Sequence, residues 1–156
     1  MMNPTAQKVQ EILHGLGCEC RVLEFTESTR TAQEAAERAG CQLSQIVKSL
    51  IFQGAESGKP ILVLTSGVNR VDEKKLAQLA GEPVRRPDAD FVRAATGYAI
   101  GGVPPVGHPG PVETYLDQDL LQYEKVWAAA GTPNAIFEIG SGELLRLTSA
   151  RVVQVK

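Results

Sequence analysis

The sequence predicts a mixed α+β fold, and three observations carry that expectation. Strand-like and helix-like segments are interleaved along the chain. Several neighbouring strand segments are joined by tight connections, which favours a mixed sheet over a doubly wound parallel one. No run approaches the roughly 18 apolar residues of a membrane span. A length of 156 residues fits a single domain, residues 1–156.

Each element follows from local pattern. Val9, Ile12, Leu13 and Leu16 recur at helical spacing, so Ala6 to Leu16 is read as a helix that stops at the glycines 15 and 17. Arg21 to Phe25 is a short strand. Thr31-Ala32-Gln33-Glu34 is a capping box that opens an alanine-rich helix ending at Gly40. Ile46 to Gln53 and Pro60 to Thr65 form a hairpin across the polar turn 54–59. Asp72 caps a helix that ends at Gly81, Val84 to Arg86 is extended, and Asp88 or Asp90 starts a short helix through Ala95. Glycine and proline make 97–111 irregular. Strands are expected at Val112 to Leu116, Lys125 to Ala129, Ala135 to Ile139 and Val152 to Val155. Short helices are expected around Asp119 to Leu121 and Glu143 to Leu147.

Composition bounds the function. Hydrophobic residues at 43% and charged residues at 22% are globular values, and a chain of this size buries a core without metal or disulfide. Sixteen basic against eighteen acidic residues, a net charge of -2, exclude a histone-like protein but leave room for a local basic patch. Arg85 and Arg86, with Lys74 and Lys75, are the densest basic groups. Aromatic residues at 5% argue against an extended stacking platform for single-stranded nucleic acid. Cys18, Cys20 and Cys41 have neither disulfide-framework nor zinc spacing and read as free thiols in a reducing compartment. The N-terminal segment lacks an uncharged signal core, so a cytoplasmic protein with no membrane partner is expected. No cofactor and no metal site are expected.

Two segments can carry chemistry. In the strand Ile46 to Phe52, alternation places Lys48 on the face of Ile46, Leu50 and Phe52, where an ammonium must snorkel out or meet an anion. It is either an edge-strand lysine that discourages aggregation or a pocket lysine for an anionic ligand; the pattern leaves both open. The stretch Gly97 to His108 matches neither a P-loop nor a dinucleotide fingerprint. Its Gly101-Gly102 pair permits close approach, and Pro104-Pro105 stiffens the next turn of chain. The result is either a tight surface loop or a frame of backbone amides for an oxyanion. His108 beside it is a candidate base or lining residue. No Gly-x-Ser-x-Gly nucleophile elbow is present.

The lysine strand Ile46 to Phe52, the loop Gly97-Tyr98 through Gly101-Gly102-Val103-Pro104-Pro105-Val106-Gly107-His108, and the blocks Tyr115-Leu116-Asp117 and Gly131-Thr132-Pro133-Asn134 resemble the YbaK/EbsC family. Its members are free-standing relatives of the prolyl-tRNA synthetase editing domain. The resemblance implies a mixed, mostly antiparallel, barrel-like sheet surrounded by helices. It implies an aminoacyl-tRNA deacylase that hydrolyses the ester of mischarged tRNA(Pro) carrying alanine, cysteine or a similar small amino acid. The family's essential lysine falls on Lys48. Its Gly-x-x-x-Pro falls on Gly101 and Pro105, with Gly102 and Val103 between them. The pocket-closing second loop falls on Ala130, Gly131 and Thr132.

In the family a ribose hydroxyl of the terminal adenosine helps activate the water, so Lys48 would hold the terminal phosphate or orient the nucleotide. Some cysteine-specific members have serine where Ala130 stands. Some alanine-specific members have asparagine where Ser49 stands and a histidine near the second loop. These departures bear on the amino acid removed, not on the reaction. The implied partner is the acceptor end of a mischarged tRNA, with association to prolyl-tRNA synthetase and homodimerisation left open. The alternative is a non-catalytic tRNA- or synthetase-binding module of the same fold; the intact Lys48, Gly101 and Pro105 argue against it.

Overall fold

Local signals set most element boundaries. In the computed structural model, which describes residues 2–156, α1 (Pro4–Gly15) starts two residues before the apolar pattern. Pro4 occupies a first-turn position where its missing N–H costs nothing, and the Asn3 side chain accepts from the Thr5 amide at 2.8 Å. After β1 (Val22–Glu24), α2 (Ala32–Ala39) carries the expected capping box and stops at Gly40 in the left-handed conformation. The hairpin is β2 (Val47–Gly54) and β3 (Pro60–Ser66). Then come α3 (Glu73–Ala80) capped by Asp72, β4 (Val84–Arg85) and α4 (Ala89–Thr96) capped by Asp88. Beyond the irregular segment lie β5 (Glu113–Asp117), a 3-10 turn (Gln118–Gln122), β6 (Lys125–Ala129) and β7 (Ala135–Gly140). The chain closes with α5 (Ser141–Thr148) and β8 (Arg151–Val153). Helix α5 begins before Glu143 because the buried Ser141 is tied down: its amide donates to the Glu124 carbonyl and its hydroxyl to the Tyr123 carbonyl.

The strands form two sheets. One has the order β1-β7-β6, all antiparallel; the other runs β4-β2-β3-β5-β8, with β3-β5 and β5-β8 parallel. A bridge from Ile46 to Trp127 links them. The barrel-like description therefore goes no further than that bridge, because the ladders do not close. The fold is mixed, with antiparallel pairings in the majority.

The main core fills the space between the sheets. Val47, Ile51, Leu62, Leu64 and Leu116 meet Val126, Ala128, Phe137 and Ile139, and α1 contributes Val9 and Leu13. Each large side chain buried there is worth about 1.5–3 kcal/mol. The opposite face of the larger sheet buries Phe52, Ile61, Val63 and Tyr115 against Leu76 of α3, so β3 is apolar on both faces. A third cluster packs Ala35 and Ala36 of α2 on Ile46 and Ile136. Among the described residues no helix is long and apolar enough to cross a membrane.

Candidate active site

Strand β4 pairs only with Gln53 and Gly54, so among the described residues no strand is paired to the β2 edge from Lys48 to Phe52. Trp127, Ala128 and Ala129 of β6 and Ile136 of β7 stand across from that edge, and between them opens a cavity of about 330 Å³. Ile46 to Leu50 form one wall, Thr31, Ala32 and Ala35 of α2 another, and Ile100, Gly101 and Val103 a third. The volume is that of a small-ligand site. Lys48, Gly101 and Val103, expected in one site from sequence, do share this cavity.

Lys48 is half-buried, and its Nζ donates to the Asn69 carbonyl at 2.7 Å. Burial pushes its pKa below the ordinary lysine range. Arg70 and Arg86 add to the depression by charge repulsion, and Asp117 opposes it. Arg86 also lies 5.2 Å from the Phe52 ring centre. Arg70 and Arg86 thus lie close enough to repel the Lys48 ammonium, though neither lines the cavity.

The glycine loop is held by backbone contacts. Gly101 has φ +90, and a Cβ there would lie 2.6 Å from Arg30 Cγ, so the loop packs on the Arg30 side chain. Arg30 follows Thr29, whose amide donates to the Pro133 carbonyl at 2.7 Å. The Gly102 carbonyl accepts from the Gly131 amide at 2.8 Å, which puts the second loop behind the first. Gly102, Gly131 and Thr132 therefore support the loop and do not line the cavity; Thr132 Oγ1 donates to Asn134 instead. Pro105 is buried and does not line the cavity. His108 turns away from the cavity: its Nε2 donates to the Pro104 carbonyl at 2.9 Å, and burial lowers its pKa.

Sequence reasoning did not find Thr29, Arg30, Asn69, Arg70 and Trp127. The hairpin register places Lys48 opposite Thr65, which already brings 69–70 beside residue 48, so two of the five were within reach. Of the expected basic groups, Arg86 lies near Lys48, Arg85 donates to Gln53, and Lys75 donates to the Lys156 carbonyl. Cys18 and Cys20, expected as free thiols, are joined as a disulfide, 5.3 Å between Cα atoms. The Cys18 sulfur lies 3.7 Å from a Glu143 carboxylate oxygen, and neither cysteine lines the Lys48 cavity.

The site is a small, largely apolar cavity on an α+β domain, bordered by a lysine and by a glycine–proline loop. The family model described as the aminoacyl-tRNA editing domain matches residues 26–147, and the chain belongs to that family. It is 37% identical over 131 residues to "Uncharacterized protein YwhH" of Bacillus subtilis, covering 84% of this chain and 83% of that protein. It is 29% identical over 132 residues to "Putative Cys-tRNA(Pro)/Cys-tRNA(Cys) deacylase EbsC" of Enterococcus faecalis, covering 84% and 80%. The solved structure described as "a putative trans-editing enzyme for prolyl tRNA synthetase" superposes with a TM-score of 0.94 at 50% identity, over 100% of this chain and 99% of that one.

Proposed function

We propose that this chain is a trans-acting deacylase that hydrolyses the ester of mischarged tRNA(Pro) carrying alanine, cysteine or a similarly small amino acid. The observation that carries the reading is the cavity itself, where the half-buried Lys48 and the Gly101–Val103 bend open on the same apolar space. The activities named for EbsC and for the trans-editing structure point the same way.

The ester joins the amino-acid carbonyl to a ribose hydroxyl. Water adds to the carbonyl carbon, the tetrahedral oxyanion collapses, and the carbon–oxygen bond to ribose breaks. One proton passes to the ribose oxygen, releasing free amino acid and tRNA. An activated ester of this kind needs positioning and oxyanion stabilisation more than a protein nucleophile. Lys48, with Arg70 and Arg86 beside it, holds the phosphate of the terminal nucleotide. The Gly101 and Val103 amides receive the oxyanion, the Gly102 amide being held by the Ala99 carbonyl at 3.0 Å, and Pro105 keeps the bend stiff. Gly102, Gly131 and Thr132 hold the bend in place.

Ala32, Ala35, Ala128 and Ala129 give the amino-acid side chain apolar walls. Such walls discriminate one methylene by only about 1–3 kcal/mol, so they set a size class and exclude proline by shape. The work belongs to the compartment where tRNA is charged, the cytoplasm. Purified chain incubated with alanyl- and cysteinyl-tRNA(Pro) tests the reading: ester loss above buffer supports it, and none refutes it.

A further inference from the structure

We infer that Asn69 and Asp117 are positioning residues for Lys48: a buried carboxylate on β5 fixes the Asn69 side chain, and the Asn69 carbonyl fixes the lysine ammonium. The inference rests on Lys48 serving the proposed reaction and names what aims it.

Lys48 and Asp117 lie at matching ends of the larger sheet, and Asn69 sits in the turn that follows β3 between them. Lys48 of β2 is paired with Thr65 of β3, and the parallel register Leu64–Leu116 places Asp117 at the matching end of β5. Asp117 is 1% exposed and Asn69 is 7% exposed. Asp117 Oδ2 accepts from Thr65 Oγ1 at 3.1 Å, from the Ser66 amide at 3.0 Å and from Asn69 Nδ2 at 2.8 Å. Its Oδ1 accepts from the Asp119 amide at 2.9 Å. The second proton of Asn69 Nδ2 goes to Asp119 Oδ2 at 2.8 Å. Asn69 lies in the turn after β3, with its own amide on the Ser66 carbonyl at 3.0 Å. The turn's carbonyl is thus aimed by a side chain locked at both amide protons.

Two features distinguish this arrangement from a sheet-end staple. A buried carboxylate with no cation in contact is costly, and an apolar pair would close the sheet ends at lower cost. Among the described residues Asp117 makes no ion pair; Lys156 pairs with the neighbouring Asp119 at 3.4 Å, and Lys48 is linked to Asp117 through Asn69. An ammonium has three protons. With one given to Asn69, two remain for a ligand, in a direction fixed by the network. Without it, a four-carbon stem beside Arg70 and Arg86 would be driven out toward solvent.

The test is a cycle of Lys48→Ala, Asn69→Ala and the double variant in the whole chain, read as kcat/KM on alanyl- and cysteinyl-tRNA(Pro). It is joined to the 13Cε resonance of Lys48, assigned by its loss in Lys48→Ala. Asn69→Ala is expected to lose at least about fivefold with Lys48 present and less than about twofold in the Lys48→Ala background. Asn69→Ala and the isosteric Asp117→Asn are expected to shift the Lys48 resonance toward those of the exposed lysines. Equal losses in both backgrounds, or an unmoved resonance, overturn the inference. Should Asn69→Ala unfold, Asn69→Ser carries the same resonance measurement. Full activity in Lys48→Ala overturns the functional reading instead, and the resonance then decides the positioning by itself.

Discussion

The Gly131 amide donates to the Gly102 carbonyl at 2.8 Å, and a Cβ at 102 would lie 3.0 Å from both the carbonyl carbon and the oxygen of Gly131. Two loops from distant parts of the chain therefore meet backbone to backbone, with no flexible side chain between them to yield. Gly102→Ala must push them apart. It is expected to cost about 1–3 kcal/mol, the range for overpacking, and to lower deacylation with it. Gly110→Ala, where nothing lies within 4 Å, is the control and should stay within about 0.5 kcal/mol in urea melts.

Lys48→Ala should reduce deacylation at least about tenfold, roughly 1.4 kcal/mol in the barrier, while circular dichroism stays unchanged. The side chain is half-buried at the end of its sheet face, so its removal leaves the Phe52 and Val63 cluster intact. Wild-type turnover would make Lys48 an edge charge and nothing more.

Thr31 ties stability to the cavity wall. Its Oγ1 accepts from the Glu34 amide at 3.1 Å and its own amide donates to the Glu34 carboxylate at 3.2 Å, opening the helix that lines the site. Thr31→Ala should cost about 0.5–2 kcal/mol by loss of the cap. Since that turn borders the pocket, KM for mischarged tRNA should rise alongside the fall in melting temperature.

His108 predicts a pH dependence. Burial holds its imidazole pKa below the ordinary histidine value of 6.5, so the unfolded chain takes up the proton first. Stability is thus fully present above the unfolded pKa and falls as the pH drops through it toward the lower folded value. Urea midpoints measured from pH 7.5 down to 5.5 should decline in the wild type, and His108→Gln should flatten that decline. An unchanged slope in the variant would show that another group titrates there.

The elements were legible where the signal is local. The Thr31–Glu34 box, the Asp72 cap with Gly81, and the strand Lys125–Ala129 depend on residues within a few positions of one another. Sheet assembly was not. The parallel pairing of β3 with β5 and of β5 with β8 joins segments about fifty and thirty-five residues apart, and apolar runs such as Ile61–Leu64 do not name their neighbour. The barrel-like sheet was an expectation from the family resemblance, and the two sheets, joined by one bridge, do not close it. The same split holds for the site. Lys48 and Gly101 stood out as a charge in an apolar strand and a glycine pair before prolines. Asn69 and Arg30 act through a backbone carbonyl and an aliphatic stem, properties no residue type announces.

The most direct measurement is a panel of tRNA(Pro) charged with alanine, cysteine, serine, threonine and 2-aminobutyrate, incubated with the purified chain and with Lys48→Ala. Ester loss above buffer is predicted for at least one of these small amino acids, with its collapse in the variant. No loss for any of them, or equal loss with and without the lysine, would contradict a lysine-dependent deacylase.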